Sequence, residues 1–222
     1  MDVQIRPAIE ADMPFLAWVQ QEAARSHLPL GFWDLAFPGA EADRLRIVRN
    51  IGTSKRPARS FCHWSGFLVA EADGQVAAAL SGYTNPTTAG GSALFEAIGD
   101  ALDAEQWNAE QRQGMALRMQ PFLTCIPDTA EDAWIIEWVA TKPECRGKGL
   151  VRALLHAILA RGREQGHAQA QIAVLIGNTP AQRAYEGVGF RVADEKTHAD
   201  FERAVGSPGI RRLLRPIESS AR

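Results

Sequence analysis

The sequence predicts an α/β (α+β) fold with one mixed sheet. Segments rich in Val, Ile and Trp, typical of strands, alternate along the chain with segments of helical periodicity. The dipeptide Asp73-Gly74 between two apolar segments predicts a β-hairpin, which adds an antiparallel pair to the sheet. A helix after Gly149 is indicated by apolar residues at i, i+3 and i+4 spacing. These observations together predict the fold class.

The positions of the individual strands and helices follow from the same patterns and from residues that interrupt regular secondary structure. The expected strands lie at residues 3–6, 66–72, 75–83, 133–140 and 171–176, from residue 190 onward, and at 210–214. The expected helices lie between Asp12, as a cap, and residue 25, at 40–51, over 92–119 with breaks near Gly99 and Gly114, at 149–164 and at 180–186. Residues 27–33 are expected to form a loop rich in aromatic side chains.

Composition limits the class of protein. The 222 residues are 46% hydrophobic with a net charge of −2, which suits one domain over residues 1–222 and gives no reason to expect nucleic acid or a membrane as partner. Cys62, Cys125 and Cys145 are widely spaced, so neither a disulfide framework nor a metal site is expected. The first residues do not resemble a signal peptide, and no apolar segment approaches the length of about 20 residues that a membrane span needs. We therefore expect a cytoplasmic protein.

The most informative segment runs from the apolar strand at 133–140 into a loop that opens the long helix. Glycines allow the backbone to approach a ligand closely, and the first turn of a helix offers free N–H groups and partial positive charge. Arg146 and Lys148 add local charge, which suits an anion such as a pyrophosphate. Arg152 stands where a GxGxxG motif would need its third glycine, and no GxxxxGK[ST] motif occurs here. A structural turn with solvated basic residues is the alternative.

Two motifs taken together resemble the signature of the GNAT superfamily of N-acetyltransferases. The first begins at Arg146-Gly147-Lys148-Gly149, which follows the family pattern [QR]-x-x-G-x-[GA] except that Val151 replaces the final small residue. The second matches N-x-x-A-x-x-x-Y-x-x-x-G-F with Asn178, Ala181, Tyr185, Gly189 and Phe190. The order of elements agrees over nearly the whole chain. A helical insertion over residues 84–132, before the central strand, is a second departure.

The resemblance implies a mostly antiparallel, twisted sheet flanked by helices, and it implies acetyl-CoA as cosubstrate. It further implies which residues bind the cofactor: the backbone of Val139, Ala140 and Thr141 would bind the pantetheine, Arg146, Gly147, Lys148, Gly149, Leu150 and Val151 the pyrophosphate, and Asn178 would lie near the pantetheine. Tyr185 would reach the thioester sulfur. The acceptor would be a small-molecule amine or a peptide amine, and homodimers are common among similar proteins.

Glu137 is the candidate base. A carboxylate in the middle of an apolar strand is costly unless it has a partner or a function, and burial would raise its pKa towards neutrality. The alternative is a structural ion pair with an arginine. A primary amine arrives protonated and must lose a proton, so we expect direct attack on acetyl-CoA in a ternary complex, with Glu137 and Tyr185 as catalytic residues. A catalytically inactive CoA-binding sensor or subunit is the alternative function.

The acceptor site is expected at the loop of residues 27–37 and the helical segment of residues 92–119. Phe32 and Trp33 are the candidate substrate-binding residues, because several large aromatic side chains in one loop are typical of a binding surface. The alternative is that these rings fold inward and fill the core. His156 and His167 are expected to face solvent without a catalytic role.

Overall fold

The computed structural model describes residues 2–84 and 90–217, and within them the chain forms one seven-stranded sheet with helices packed against it. The strands are β1 (Val3–Pro7), β2 (Phe67–Ala72), β3 (Gln75–Thr84), β4 (Ala133–Thr141), β5 (Gln169–Leu175), β6 (Arg191–Thr197) and β7 (Gly209–Pro216). The helices are α1 (Met13–Arg25), α2 (Phe32–Ala36), α3 (Glu41–Gly52), α4 (Gly90–Ala104), α5 (Ala109–Leu123), α6 (Leu150–Glu164), α7 (Thr179–Glu186) and α8 (Ala199–Val205). No helix in this described part of the chain is both long and apolar enough to span a bilayer.

The sheet has the order β1-β2-β3-β4-β5-β7-β6 and is antiparallel except between β4 and β5. That parallel pairing is short: it begins with Ala133 opposite Gln169 and ends with Ile136 opposite Ile172. On its other side β4 keeps Glu137, Ala140 and Thr141 in register with β3, opposite Ser81, Ala79 and Ala78. The two central strands therefore separate after Ile136, and one backbone edge of β4 is free in the middle of the sheet. The predicted mixed, mostly antiparallel sheet is confirmed.

At the same point in β4, the alternation of side chains between the two sides of the sheet is inverted. Trp138 has a φ of +55°, and the pairing with β3 shifts register between Ala79 and Ser81. Ile136, before the shift, packs on the side of the sheet that faces α6. Trp138 and Ala140, after the shift, would lie on that same side in a regular strand, but they pack into the core on the other side. A bulge has this effect because one extra residue inverts the alternation of side chains. Glu137 is the residue immediately before this change.

Two hydrophobic clusters fill the two sides of the sheet. One lies under α1, α2, α3 and α4, and the other lies between the sheet and α6 and includes Leu154, Leu155 and Ile158, each fully buried. The apolar spacing that predicts α6 is thus the face that packs on the sheet. The hairpin prediction is also confirmed, since Asp73 and Gly74 take φ values of +51° and +77° between β2 and β3.

Three local predictions are wrong. Asp12 precedes α1 but its side chain does not cap the helix; its carboxylate pairs with Arg6, Nη1 to Oδ2 at 2.7 Å. The helical insertion does not break at Gly99 or Gly114, which lie inside α4 and α5; the break is at residues 105–108, where Asn108 caps α5. The short helices α2 and α8 were not expected.

The insertion is anchored to the sheet at both of its ends by one side chain. His167 contacts the Thr84 hydroxyl through Nε2 at 2.9 Å and the Asp132 carbonyl through Nδ1 at 2.8 Å, and its ring packs on Trp134. The expectation that His167 faces solvent is therefore wrong, and the residue has a structural role. His156 is exposed, as expected.

Candidate active site

The loop after β4 presents a row of backbone N–H groups. Gly147 and Gly149 take φ values of +75° and +79°, and α6 begins at Leu150. No acceptor within the described residues receives the N–H of residues 147–151. Left-handed conformations favour glycine, and these N–H groups lie at the start of α6, where the helix dipole is positive. This arrangement can bind an anion.

Basic and apolar side chains of the same loop point in different directions. Arg146 and Lys148 are exposed, and Arg146 Nε donates to the Thr141 carbonyl at 3.3 Å, which joins the loop to the end of β4. Leu150 is buried, and Val151 packs against the α6 core cluster. The branched side chain of Val151 therefore occupies the core side of the helix.

Glu137 lies where β4 separates from β5. Its side chain is half-buried, and within the described residues it forms no ion pair and no hydrogen bond. Burial raises the pKa of Glu137 from 4.5 to about 7, with no neighbouring charge contributing. The arginine partner considered as the structural alternative is absent from residues 2–84 and 90–217. A carboxylate with this pKa can take up a proton at neutral pH.

Tyr185 lies in α7 and is buried in the α6 core cluster at 6% exposure. Burial raises the pKa of its hydroxyl well above 10, and the charge of Glu137 raises it further. The same charge raises the pKa of the Tyr83 hydroxyl and the Cys62 thiol, after burial as the larger cause. Glu137 is thus within electrostatic reach of two phenols and one thiol, and all three stay protonated near neutral pH.

Asn178 caps α7 and links it to α1. Its Oδ1 accepts from the Ala181 N–H at 3.2 Å, and its Nδ2 donates to the Ser26 hydroxyl at 2.6 Å. These bonds fix the start of α7, and therefore the position of Tyr185 about two turns later. The structure supports a positioning role for Asn178, and its contact with a pantetheine stays a prediction.

The aromatic side chains expected to wall the acceptor site are mostly interior. Trp33 and Phe37 are 0% and 1% exposed, and they stack with centroids 5.6 Å apart. Trp33 is held in α2 rather than in a loop, so the expectation of an exposed aromatic patch is wrong for these two residues. The physical reason is that α2 presents them to the core beneath β4, where Trp33 stacks on Trp138. Phe32 is half-buried, and its substrate contact stays a prediction.

Comparison with known proteins places this site in a family. The model of the acetyltransferase (GNAT) family matches residues 47–190, which include β4, the loop and Tyr185. The chain belongs to the GNAT acetyltransferase family. No curated protein sequence matches it.

Solved structures show the same fold at low identity. An acetyltransferase is similar at a TM-score of 0.68 and 17% identity over 97% of this chain and all of the other. An N-acetyltransferase from Staphylococcus aureus Mu50 is similar at 0.64 and 17% identity, over 96% and 100% of the two chains. The protein yncA from Salmonella typhimurium, solved with acetyl-CoA, is similar at 0.52 and 16% identity, over 100% and 98%. At these identities the likeness concerns the fold alone.

The chemistry of the residues at the loop and along β4 suits a CoA thioester, and their contacts with it stay predictions. At the start of α6, five N–H groups have no acceptor among the described residues, and the same loop carries the exposed side chains of Arg146 and Lys148, which suits a pyrophosphate. The free edge of residues 137–141 lies on the same strand that leads into this loop, which suits the extended, amide-containing pantetheine. Val139 packs towards α6. Ala140 and Thr141 pair with Ala79 and Ala78 of β3, on the edge of β4 that faces away from β5.

Sequence reasoning missed a group of aromatic side chains near Glu137, whose charge acts on the Tyr83 hydroxyl and the Cys62 thiol. Phe61 stacks on Tyr83 at 5.1 Å and on Trp138 at 5.9 Å, and Cys62 is fully buried beside them. Phe61 lies in the connection between α3 and β2, just beyond a basic and polar segment at residues 52–59. The available signal was the apolar Phe61-Cys62 pair directly after that basic segment.

Proposed function

We propose that this GNAT protein transfers an acetyl group from acetyl-CoA to a primary amine by direct attack within a ternary complex. The family membership supports acyl transfer, and the opened sheet supports an arrangement in which the thioester and the amine meet at β4. The cofactor supplies an activated acetyl carbonyl. The chain supplies binding groups for the anion, a base and a proton donor.

The observation that carries this proposal is the unpaired carboxylate of Glu137 at the separation of β4 and β5. Its pKa of about 7 lets it accept a proton from an ammonium group, either directly or through water, so that the neutral amine can attack. No covalent bond to the protein forms in this scheme. The neutral amine attacks the carbonyl carbon, and the carbon–nitrogen bond forms to give a tetrahedral oxyanion with a cationic nitrogen. When this oxyanion collapses, the carbon–sulfur bond breaks and the leaving thiolate takes a proton from a donor group. That donor is restored by the second proton of the nitrogen, and the proton on Glu137 is released to water.

Tyr185 is the proposed donor of that proton. Its hydroxyl stays protonated because burial raises its pKa, and it lies within the electrostatic reach of Glu137. A phenol can therefore donate to the thiolate while Glu137 holds the proton taken from the amine. Backbone N–H groups along the free edge of β4 can stabilise the oxyanion that forms between these steps.

Initial-rate kinetics with acetyl-CoA and a panel of primary amines, read as thiol release and confirmed by product mass, tests this proposal. We expect intersecting double-reciprocal lines, because both substrates bind before reaction. Parallel lines would indicate an acetylated enzyme and contradict direct attack. Calorimetry with coenzyme A separates the alternative function: binding without turnover of any amine would indicate a CoA-binding module.

A further inference from the structure

Five aromatic rings form a continuous stack from the core to the neighbourhood of Glu137. Tyr83, Phe61, Trp138, Trp33 and Phe37 succeed one another with centroid distances of 5.1, 5.9, 5.6 and 5.6 Å and interplanar angles of 20°, 18°, 25° and 15°. The end formed by Trp33 and Phe37 is fully buried, whereas the other three rings are half-buried. We name these three half-buried rings, Phe61, Tyr83 and Trp138, the aromatic wall.

The aromatic wall and Glu137 are neighbours in the sheet. Trp138 follows Glu137 in β4, and Tyr83 lies in β3 two residues after Ser81, the register partner of Glu137. The bulge at Trp138 brings its ring to the side of the sheet that carries Phe61. The charge of Glu137 acts on the Tyr83 hydroxyl and on the thiol of Cys62, the neighbour of Phe61.

The charges around the aromatic wall are few. Glu137 has no ion-pair partner within the described residues, and no nearby charge alters its pKa. The basic groups of the connection that carries Phe61 are engaged elsewhere: Lys55 pairs with Glu10 at 2.8 Å, and Arg59 Nη1 contacts His63 Nε2 at 2.7 Å. The wall therefore offers one negative charge for one ammonium group, and rings for an apolar body.

We propose that the acceptor is a monoamine with a flat apolar or aromatic body, which packs against Phe61, Tyr83 and Trp138 with its nitrogen at Glu137. This inference rests on the proposed acetyl transfer and specifies its substrate class. Aromatic side chains favour offset or edge-on contact with another ring, and their faces also attract an ammonium group. Glu137 is the carboxylate of the described residues whose charge acts on this wall, so a second ammonium, as in a diamine, would gain less there, and a substrate carboxylate would be repelled by Glu137.

Two surface cavities formed by the described residues lie away from this place. One of about 580 Å³ lies between α5 and α8 and is lined by Leu117, Pro121 and Arg203 among others; the second, of about 240 Å³, lies between α6 and the end of β7. Neither contains Glu137 or a residue of the aromatic wall. An acceptor bound in either cavity would be remote from the proposed base.

The test compares four probes, 2-phenylethylamine, n-butylamine, putrescine and phenylalanine, on the wild type and on Phe61→Leu. Leucine keeps an apolar side chain and removes the ring. We expect kcat/KM for 2-phenylethylamine to exceed that for each other probe at least tenfold, and Phe61→Leu to raise the KM for 2-phenylethylamine by about five- to tenfold, the range that loss of a ring contact gives. Phe95→Leu, at an exposed ring of α4, is the matched control and should keep wild-type constants.

The outcomes of this test distinguish the proposed acceptor class from the proposed acetyl transfer. Preference for putrescine or phenylalanine, or equal effects of Phe61→Leu on the KM values of 2-phenylethylamine and n-butylamine, would overturn the acceptor class while the proposed acetyl transfer stands. Coenzyme A binding without turnover of any probe or any other amine would overturn the transfer itself. Near-ultraviolet circular dichroism shows whether Phe61→Leu keeps the native packing. If that variant does not fold, Tyr83→Leu provides the same comparison from the next ring of the wall.

Discussion

Glu137 combines a position that is costly for a carboxylate with the chemistry that the proposed reaction needs. A half-buried acid without a partner is less stable when ionised, and this cost appears as a pKa raised to about 7. The same shift makes the group an effective base near neutral pH, since a base is most useful when its pKa is close to the working pH. A glutamate with an arginine partner would have a lowered pKa and would be a poorer base.

Glu137→Gln tests this role through the pH dependence of the rate. In the wild type, the carboxylate is ionised above about pH 7 and protonated below it, so the rate should fall as pH decreases through about 7. Glutamine cannot accept the proton at any pH, so the ratio of wild-type to variant kcat should be largest above pH 7, about 10²–10⁴, and should narrow at lower pH. A variant that keeps the break near pH 7 would show that another group titrates there.

Tyr185→Phe tests the proton donor. Phenylalanine keeps the ring packed in the α6 core cluster and removes the hydroxyl alone. We expect kcat to fall about 10²–10⁴-fold, the usual worth of a general acid, with acetyl-CoA binding by calorimetry unchanged. Tyr83→Phe is a useful comparison because that hydroxyl also lies within reach of Glu137. An equal loss in both variants would mean that neither phenol is the specific donor.

At the scale of elements, α6 has a glycine of positive φ at each end. Gly149 precedes the helix with a φ of +79°, and Gly166 follows it with a φ of +88°. A Cβ added at Gly166 would meet no atom within 4 Å, and one added at Gly149 would meet only the end of Arg152 at 4.0 Å. Both residues are therefore glycine for the sake of backbone conformation, but only Gly149 belongs to the row of free N–H groups.

Gly149→Ala and Gly166→Ala form a matched pair. Each places a side chain in a left-handed conformation, which costs about 1–2 kcal/mol, so both should lose similar stability in urea denaturation. Only Gly149→Ala should weaken coenzyme A binding, by about tenfold or more, because it alone adds a side chain and backbone strain within the row of free N–H groups. Equal affinities of the two variants in calorimetry would remove the loop from the binding site.

The elements that sequence reasoning located correctly are those with a local signal. The hairpin at Asp73-Gly74 and the apolar stripe of α6 depend on residues close in the chain, and both are as expected. The aromatic wall has no such signal, because Phe61, Tyr83 and Trp138 come from three separate segments that only the sheet register and the bulge bring together. The sequence predicts an open loop for Trp33 because nothing local distinguishes a ring that faces the core from one that faces a ligand.

At the scale of the whole molecule, the insertion is part of the main core. From α4, Leu94, Ile98 and Leu102 join the cluster under α1 and α3, and from α5, Arg118 Nε donates to the Leu35 carbonyl of α2 at 2.8 Å. The Arg56 side chain also pairs with Asp100 of α4 at 2.5 Å. A helical segment with these contacts cannot behave as an appendage. It supports α2, and therefore Trp33 beneath Trp138.

Leu102→Ala tests whether the chain unfolds as one unit. Leu102 is 2% exposed, and removing a buried leucine side chain costs about 2–5 kcal/mol through lost burial and the cavity left behind. If residues 1–222 form one domain, this loss should appear in a single urea transition that tryptophan fluorescence and far-ultraviolet circular dichroism report together. Leu117→Ala on α5, where the side chain is 56% exposed, should change the free energy of unfolding by less than about 0.5 kcal/mol. Two separate transitions in Leu102→Ala, with coenzyme A still bound after the first, would show that α4 and α5 fold independently of the sheet.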